Sequence, residues 1–397
     1  MINQQKQMMK RTARQKLTQF TSLGVLGGGV CAGLLLYKYD ERAYTSLTSL
    51  LHSCLDGEQA HRAAVLALHH GLYFRCRHQE SQSLRVRLWG RDFSNPVGVA
   101  AGFDKHGEAV QGLRDVGFGF VEVGSVTPEP QEGNPQPRVF RLDSDQAVIN
   151  RYGFNSEGHK TVKTRLELLR AGGFNGILGV NLGKNKSSAS AELDYVRGVE
   201  QFGHLADYLV INISSPNTPG LRNLQSKADL QSLIKSVLKA RKDLNLSSPP
   251  PLLVKIAPDL SRGYMEDIAE VVTSEDTKID GLIISNTTVT RPDCLQSRER
   301  GESGGLSGAP LTQLSTQVIQ EMYRLTGGQV VIIGAGGVSS GEEAWQKISA
   351  GASLVQVYTG MVYQGPVVAS KIRRELETIV KERGFSNIQE AVGCGHK

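Results

Sequence analysis

Eight short apolar runs, each rich in β-branched residues, punctuate the chain beyond residue 94. They are NPVGVAAG (95–102), GFVEVGSV (119–126), ILGVNLG (177–183), YLVINIS (208–214), LLVKIAP (252–258), GLIISNT (281–287), VVIIGAGG (330–337) and LVQVYTG (354–360). Runs of this length and composition suit strands buried on both faces. Helical stretches separate most of them, at 106–116, 156–171, 191–206, 224–243, 262–274, 310–326, 340–350 and 366–383. Eight strand–helix units in series predict a (β/α)8 TIM barrel. A doubly wound sheet is the alternative, but the chain lacks the GxGxxG strand-to-helix fingerprint that its dinucleotide-binding form requires. Ahead of the first unit, LRVRLWGRDFSN (84–95) reads as a hairpin plugging the N-terminal end of the barrel. Earlier still, Leu47, Leu50, Leu51 and Leu55 recur at helical spacing, and so do Ala60, Ala64, Leu68 and Leu72. Residues 40–75 therefore read as two short amphipathic helices, broken at Asp56-Gly57. They suit a capping subdomain, a membrane-docked lid, or both.

The N-terminus has a different character. Residues 1–16 carry Lys6, Lys10, Arg11, Arg14 and Lys16 and no acid, the composition of a mitochondrial import segment; a solvated tail is the plain alternative. Leu17–Tyr37 contains no charge. At about 1.5 Å per helical residue this segment reaches roughly 30 Å, the thickness of a bilayer's hydrocarbon core. Gly24/Gly28 and Gly29/Gly33 have small-xxx-small spacing that could seat another helix. No clear small-x-small cleavage site precedes KYDER (38–42), so an uncleaved single-span anchor is favoured over a secretory peptide. The predicted organisation is an import segment (1–16), an anchor (17–37), a two-helix subdomain (40–75) and a barrel (84–397).

Composition narrows the function. The 397 residues accommodate a barrel of about 250 residues plus these appendages. Much of the net charge of +6 sits in residues 1–16, so a nucleic-acid partner is not indicated. Five dispersed cysteines without CxxC or CxH spacing argue against a disulfide framework and a zinc site, and no metal is expected.

In such a barrel, chemistry collects where strands end. Lys105 follows the first strand and Ser125 and Thr127 the second; Asn150 and Asn155 lie in the long segment beyond. The third strand holds Asn181, and the fourth holds Asn212 and runs into Ser214, Ser215, Pro216 and Asn217. Lys255 interrupts the fifth, and Asn286 and Thr287 end the sixth. Asparagine is disfavoured in strands, so Asn150, Asn181, Asn212, Asn217 and Asn286 together suggest a ligand with alternating donors and acceptors, such as a cyclic imide. A single one would more often bond a neighbouring loop. Lys255 in an apolar strand needs an anion. It fits an internal salt bridge, a Schiff-base amine, or a cation beside a cofactor that becomes anionic. GAGGVSSGEEAW (334–345), YTG (358–360) and GGLSG (304–308) suit a phosphate nest at the last two strand ends, matching FMN better than a dinucleotide. Spacing alone does not choose between Ser214 and Ser215.

These motifs, with VEVGSVTPEPQEGNPQPRVFRL, INRYGFN, INISSPNTPGLR and LLVKIAPD, resemble the class 2, quinone-dependent dihydroorotate dehydrogenases of animal mitochondrial type over residues 38–397. The resemblance implies oxidation of (S)-dihydroorotate to orotate in pyrimidine (UMP) biosynthesis. Ser215 removes the C5 proton, FMN takes the hydride and ubiquinone reoxidises it. Class 1 relatives carry cysteine at the Ser215 position. Lys105 holds the substrate carboxylate; Asn150, Asn212, Asn217, Asn286 and Thr287 grip the ring; Arg151, Tyr152, Gly153, Phe154, Ser214 and Pro216 complete the implied substrate set. Lys255 stabilises negative charge on the reduced flavin. The implied FMN set adds Ala100, Ala101, Gly102, Phe103, Asp104, Gly124, Ser125, Asn181, Asn212, Ser285, Ser307, Gly308, Gly337, Tyr358 and Thr359. His52, His61, Arg141 and Tyr358 match the quinone tunnel, although relatives carry glutamine where His52 stands. Thr218 or a trapped water is the candidate relay behind Ser215. The resemblance also implies a monomer on the inner mitochondrial membrane, with the barrel facing the intermembrane space. A Schiff-base lyase using Lys255 and a non-enzymatic anchored barrel are the competing readings, and the absorbance spectrum of the purified protein separates all three.

Overall fold

The computed structural model describes Gly33, Lys38, residues 40–78 and residues 80–396. The predicted import segment, and all of the predicted anchor except Gly33, lie outside the described residues. Among those described, no helix is long and apolar enough to cross a membrane.

Two helices come first, α1 (Glu41–Cys54) and α2 (Gly57–His69). Asp56 separates them because it caps α2: its carboxylate accepts the Glu58 and Gln59 N–H groups, and the Gln59 side chain returns to the Asp56 N–H. This reciprocal box satisfies donors that the first helical turn leaves orphaned. A hairpin follows, β1 (Val86–Leu88) and β2 (Arg91–Phe93), paired antiparallel with Val86 opposite Phe93.

The barrel is closed and all its neighbours run parallel. Its strands are β3 (Val97–Val99), β4 (Phe120–Val126), β7 (Ile177–Leu182), β8 (Tyr208–Asn212), β9 (Leu252–Ile256), β10 (Gly281–Ile284), β12 (Val331–Ala335) and β13 (Leu354–Val357). Each falls within one of the eight apolar runs. The barrel helices are α3 (Val110–Asp115), α4 (Gly158–Ala171), α5 (Ala191–Phe202), α6 (Lys227–Asp243), α7 (Arg262–Thr273), α8 (Thr312–Leu325), α9 (Gly341–Ser349) and α11 (Val367–Glu382), with a short α10 (Thr359–Gln364) after β13. The interior is filled by aromatic rings set against glycines on the next strand. A Cβ at Gly98 would overlap the Phe120 ring, and one at Gly179 the Tyr208 ring. The hairpin closes this end: Phe93 lies edge-on to Phe120, with ring centroids 5.6 Å apart, and Trp89 packs on Phe93 and Tyr208.

One element is absent from the apolar pattern. An antiparallel sheet of β5 (Val139–Leu142), β6 (Ala147–Asn150) and β11 (Gly305–Gly308) stands at the opposite, C-terminal end of the barrel. Its strands come from two loops far apart in sequence, so no local periodicity announces their pairing. It forms one wall for the helices: α2 packs on β5 and α3, and α1 packs on α10 and α11. The approach is close, since a Cβ at Gly57 would sit 2.8 Å from Val139 Cγ1, and one at Gly112 would sit 2.8 Å from the Leu68 carbonyl.

Candidate active site

A cavity of about 990 Å3 runs from the strand ends to the helix pair. That places it where barrel enzymes carry out their chemistry. At its inner part, β8 delivers Asn212 beside Lys255 of β9, in direct register. Asn212 donates to Ser125 Oγ at 2.9 Å and to Asn181 Oδ1 at 3.2 Å. Its own Oδ1 accepts from Ser214 Oγ at 3.0 Å and from Asn286 at 3.3 Å. The Tyr195 hydroxyl fixes the Asn212 carbonyl at 2.7 Å. The strand-end asparagines are thus bound to one another, which orients their remaining polar atoms.

The two adjacent serines separate. Ser214 is fully buried in the amide network and accepts from Asn286 Nδ2 at 3.0 Å. Ser215 lines the cavity, and its Oγ accepts the Asn217 N–H at 3.3 Å. Among the described residues no hydrogen bond joins Ser215 to Thr218. Asn217 in turn reaches the Asn150 carbonyl at 3.2 Å, tying this loop to β6.

Lys255 is 5 % exposed and lies beneath this layer. Burial lowers its pKa, and the negative charge of Glu122 opposes that shift. Glu122 on β4 is fully buried and accepts from Asn181 at 2.8 Å, Tyr208 at 3.0 Å and Gln356 at 2.6 Å. Sequence reasoning asked for an anion near Lys255 and did not find Glu122. The available signal was a charged residue inside an apolar strand, the same oddity that drew attention to Lys255. Arg222 was also overlooked. It bonds the Ser214 carbonyl (3.0 Å), Asp259 (2.8 Å) and the Thr287 carbonyl (2.9 Å), so it pins the 214–220 loop to the ends of β9 and β10.

Towards the helices, Lys105 donates to the Gly102 carbonyl at 3.0 Å and sits 3.9 Å above the Tyr152 ring. Burial, then the neighbouring Arg138, push its pKa down to about 7, against the pull of Glu58. His61 on α2 meets the Phe103 carbonyl through Nε2 at 2.6 Å and the Tyr152 hydroxyl through Nδ1 at 3.0 Å. A carbonyl can only accept, so Nε2 carries the proton and neutral Nδ1 accepts from Tyr152. Burial, with Lys105 adding to it, pushes the His61 pKa down to about 4, in keeping with that neutral ring. Further out, Arg141 donates to the carbonyls of His52 (2.8 Å) and Leu55 (2.9 Å), and His52 lies edge-on to Tyr363.

Most residues singled out from the sequence line this cavity, among them Ala100, Ala101, Gly102, Phe103, Ser125, Tyr152, Gly153, Phe154, Asn286, Thr287, Ser285, Ser307, Gly308, Gly337, Tyr358 and Thr359. Six others do not. Asn181 and Ser214 are consumed by the amide network, and Asp104 is fully buried, accepting the Glu108 and Ala109 N–H groups. Gly124 lies against the Asn181 backbone, and Pro216 beside Gly305. Arg151 turns away to Glu302 at 2.6 Å.

The wall is suited to a flavin phosphate and ring. A Cβ at Gly337 would overlap Thr312, and one at Gly308 the Gln146 carbonyl, so both backbones approach closely and without side chains. Among the described residues no hydrogen bond uses the N–H of Gly336, Gly337, Thr359 or Gly360. Among the described residues, three lining residues also hold buried polar atoms without a hydrogen-bond partner: Arg141 (Nε, Nη1), Asn155 (Oδ1) and Gln356 (Oε1). Such orphaned groups in a cavity call for a polar ligand.

A closed barrel with this cavity at its strand ends, a buried lysine and a glycine-lined cradle defines a barrel enzyme with a site for a phosphate-bearing ligand. A sequence model of dihydroorotate dehydrogenase matches residues 83–380. Over 386 residues the chain is 55% identical to the mitochondrial dihydroorotate dehydrogenase (quinone) of Mus musculus, covering 94% of this chain and 96% of that protein. The mitochondrial dihydroorotate dehydrogenase (quinone) of Arabidopsis thaliana is 48% identical, covering 94% of this chain and 87% of that protein. The Eimeria tenella enzyme, solved in complex with ferulenol, superposes with a TM-score of 0.83 at 44% identity, over 86% of this chain and 96% of that one. The chain belongs to the dihydroorotate dehydrogenase family, in its quinone-dependent class.

Proposed function

We propose that this chain oxidises (S)-dihydroorotate to orotate for pyrimidine synthesis, with FMN as its flavin and ubiquinone as the final acceptor. The observation that carries the reading is Ser215 facing the same cavity as Lys105, the Asn150, Asn212, Asn217 and Asn286 amides, and Lys255. Lys105 holds the substrate carboxylate. The amides, with Thr287, present donors and acceptors to the ring and orient C5 towards Ser215, which takes the proton as base. Asn217 fixes the Ser215 oxygen from the far side. The FMN phosphate is held at Gly308, Gly337 and Thr359, and the ring is held among Ala100, Ala101, Ser125, Lys255 and Ser285. Bound there, FMN supplies a two-electron acceptor for the substrate hydride. Lys255 faces negative charge that accumulates beside it, and Glu122 keeps that lysine from being an isolated buried cation.

The helix pair and the wall bearing His52, His61, Arg141 and Tyr358 give ubiquinone its access. Exposed Leu50, Leu51, Leu72 and Phe74 on and just after these helices support a membrane-facing surface. Residues 1–16 direct import and 17–37 anchor the chain to the inner mitochondrial membrane, with the barrel in the intermembrane space. The mitochondrial names of the mouse and Arabidopsis relatives support that location.

The test is anaerobic bleaching of the purified yellow protein by dihydroorotate. Ser215→Ala slows bleaching by about 10²- to 10⁴-fold, the usual loss for a missing general base, with flavin content unchanged. Fast bleaching in that variant would remove Ser215 from its role. Recolouring by a short-chain quinone checks the acceptor.

A further inference from the structure

Lys105 is enclosed, and the groups around it come from several elements. Helix α2 contributes Glu58 and His61; the segment before β5 contributes Arg138; the loop after β6 contributes Tyr152; Tyr358 directly follows β13; His106 is the next residue in the chain. His61 is neutral, and burial holds the Tyr152 and Tyr358 hydroxyls in their protonated form. Arg138 is a second cation, with its guanidinium 5.1 Å from the centre of the same Tyr152 ring on which Lys105 rests. Asp104, the preceding residue, is fully buried, directs its carboxyl to the Glu108 and Ala109 N–H groups and has its pKa raised by burial, so Glu58 is the anion acting on Lys105. Its carboxylate forms a two-pronged bridge to Arg138, at 3.0 Å from Oε2 to Nε and 2.7 Å from Oε1 to Nη2. The other Arg138 nitrogen is held by the Glu132 and Asn134 carbonyls at 2.7 and 2.8 Å. Burial raises the Glu58 pKa, but the Arg138 bridge outweighs it and keeps the net value below the ordinary carboxylate range. Glu58 stands in the first turn of α2, placed by the Asp56 capping box, on the helix that also carries His61.

We propose that Glu58 is a positioning residue for the dihydroorotate site: from the membrane-side helix pair, its bridge to Arg138 offsets that cation above the shared Tyr152 ring and so favours the charged form of Lys105 that receives the substrate carboxylate. This rests on the reading of Lys105 as the carboxylate's partner. The helix pair then belongs to both half-reactions. It walls the quinone path on one side, and on the other it sets the charge of the substrate lysine. Any displacement of α2 from β5 carries Glu58 away from Arg138 and leaves two cations facing each other. Lys105 relieves that repulsion by losing its proton. A bound carboxylate favours charged Lys105, hence α2 in place, and the coupling is reciprocal.

The experiment is a titration of the full-length holoenzyme with orotate, followed by flavin absorbance, between pH 6 and pH 8.5. In the wild type, affinity falls as pH rises through the Lys105 pKa, because a lysine loses its charge above that point. Glu58→Gln moves this midpoint down by at least half a unit, so orotate binds about threefold more weakly at pH 8 and nearly normally at pH 6. Glu58→Asp keeps the wild-type profile. Glu58→Gln/Arg138→Gln removes both charges and returns the midpoint towards the wild type. A loss that is equal at every pH, or a double variant weaker than Glu58→Gln, overturns the proposal in favour of a packing role. Lys105→Met separates the two readings. If orotate affinity survives that change, Lys105 is not the carboxylate's partner. If affinity is lost but the Glu58→Gln profile overlays the wild type, Glu58 alone is misassigned.

Discussion

Ser214 and Ser215 are chemically identical neighbours with opposite surroundings. Just beyond the end of β8, one serine turns into the amide network and the next turns into the cavity. Sequence spacing offered no choice between them; the family resemblance named Ser215, and the geometry gives it access. Lys255 shows the same division. Its need for an anion was legible from its apolar run, but Glu122 lies three strands away along the barrel and only closure of the sheet brings them near. Lys347 on α9 escaped notice because a lysine in an amphipathic helix usually faces solvent. Here it is fully buried and donates to Ser315 Oγ at 2.5 Å and Thr316 Oγ1 at 3.1 Å. Ser315 bonds the Gly336 carbonyl and Thr312 the Gly337 carbonyl, so this lysine braces the glycine loop at the end of β12. Burial pushes its pKa down to about 7. The folded state therefore binds fewer protons than the unfolded chain between that pH and the ordinary lysine value, and stability rises with pH across that window. Lys347→Met abolishes that rise, on the order of 3 kcal/mol, in urea unfolding at pH 7 and pH 10. It also loosens the glycine loop, seen as a several-fold higher Kd for flavin.

At the scale of elements, the apolar runs located all eight barrel strands because a strand covered on both faces has few polar positions to obscure it. The hairpin at 84–95 was legible for a related reason: Leu84, Val86 and Phe93 are its buried apolar positions. The sheet of β5, β6 and β11 was not legible, since its pairing is set by contacts between distant loops. Two variants probe how elements are seated. Asp56→Ala removes the α2 cap and destabilises the helix start by about 1 kcal/mol. Hydrogen exchange at the first-turn amides of α2 then quickens about fivefold, while barrel amides stay unchanged. Gly98→Ala forces a methyl group into the Phe120 ring in the packed barrel floor. Overpacking of this kind lowers stability by about 1–3 kcal/mol, measurable as a fall in thermal midpoint.

For the whole molecule, acid is the condition that tests the join between helix pair and barrel. His61 is neutral in the folded state, its pKa depressed to about 4 from the ordinary 6.5. Its contribution is complete above pH 6.5 and is lost as pH falls through the folded value, because the unfolded chain takes up the proton first. His159, also buried, has its pKa pushed down to about 4 by burial, then by Arg197, and adds to the same window. Unfolding free energy should therefore fall steeply between pH 6.5 and pH 4, and His159→Phe should flatten part of that slope. The exposed leucines test the other face of the join. Leu50→Asp/Leu72→Asp should raise the KM for a long-tailed quinone more than for a short-tailed one, leaving dihydroorotate-driven flavin reduction unchanged.

What the sequence by itself determined was periodic or local: eight buried strands, the helices between them, the polar residues at their ends and the glycine-rich turns. These follow from hydrophobic burial and backbone freedom, which each short segment carries in its own composition. Tertiary structure alone decided which of two serines meets the cavity, that Glu122 answers Lys255, that Arg222 pins the 214–220 loop, and that Glu58 on α2 pairs with Arg138 over the ring that Lys105 also touches. Those are relations between charges and hydrogen-bonding groups far apart in the chain. Their strength depends on distance and on exclusion of water, and neither exists until the barrel closes and the helices dock.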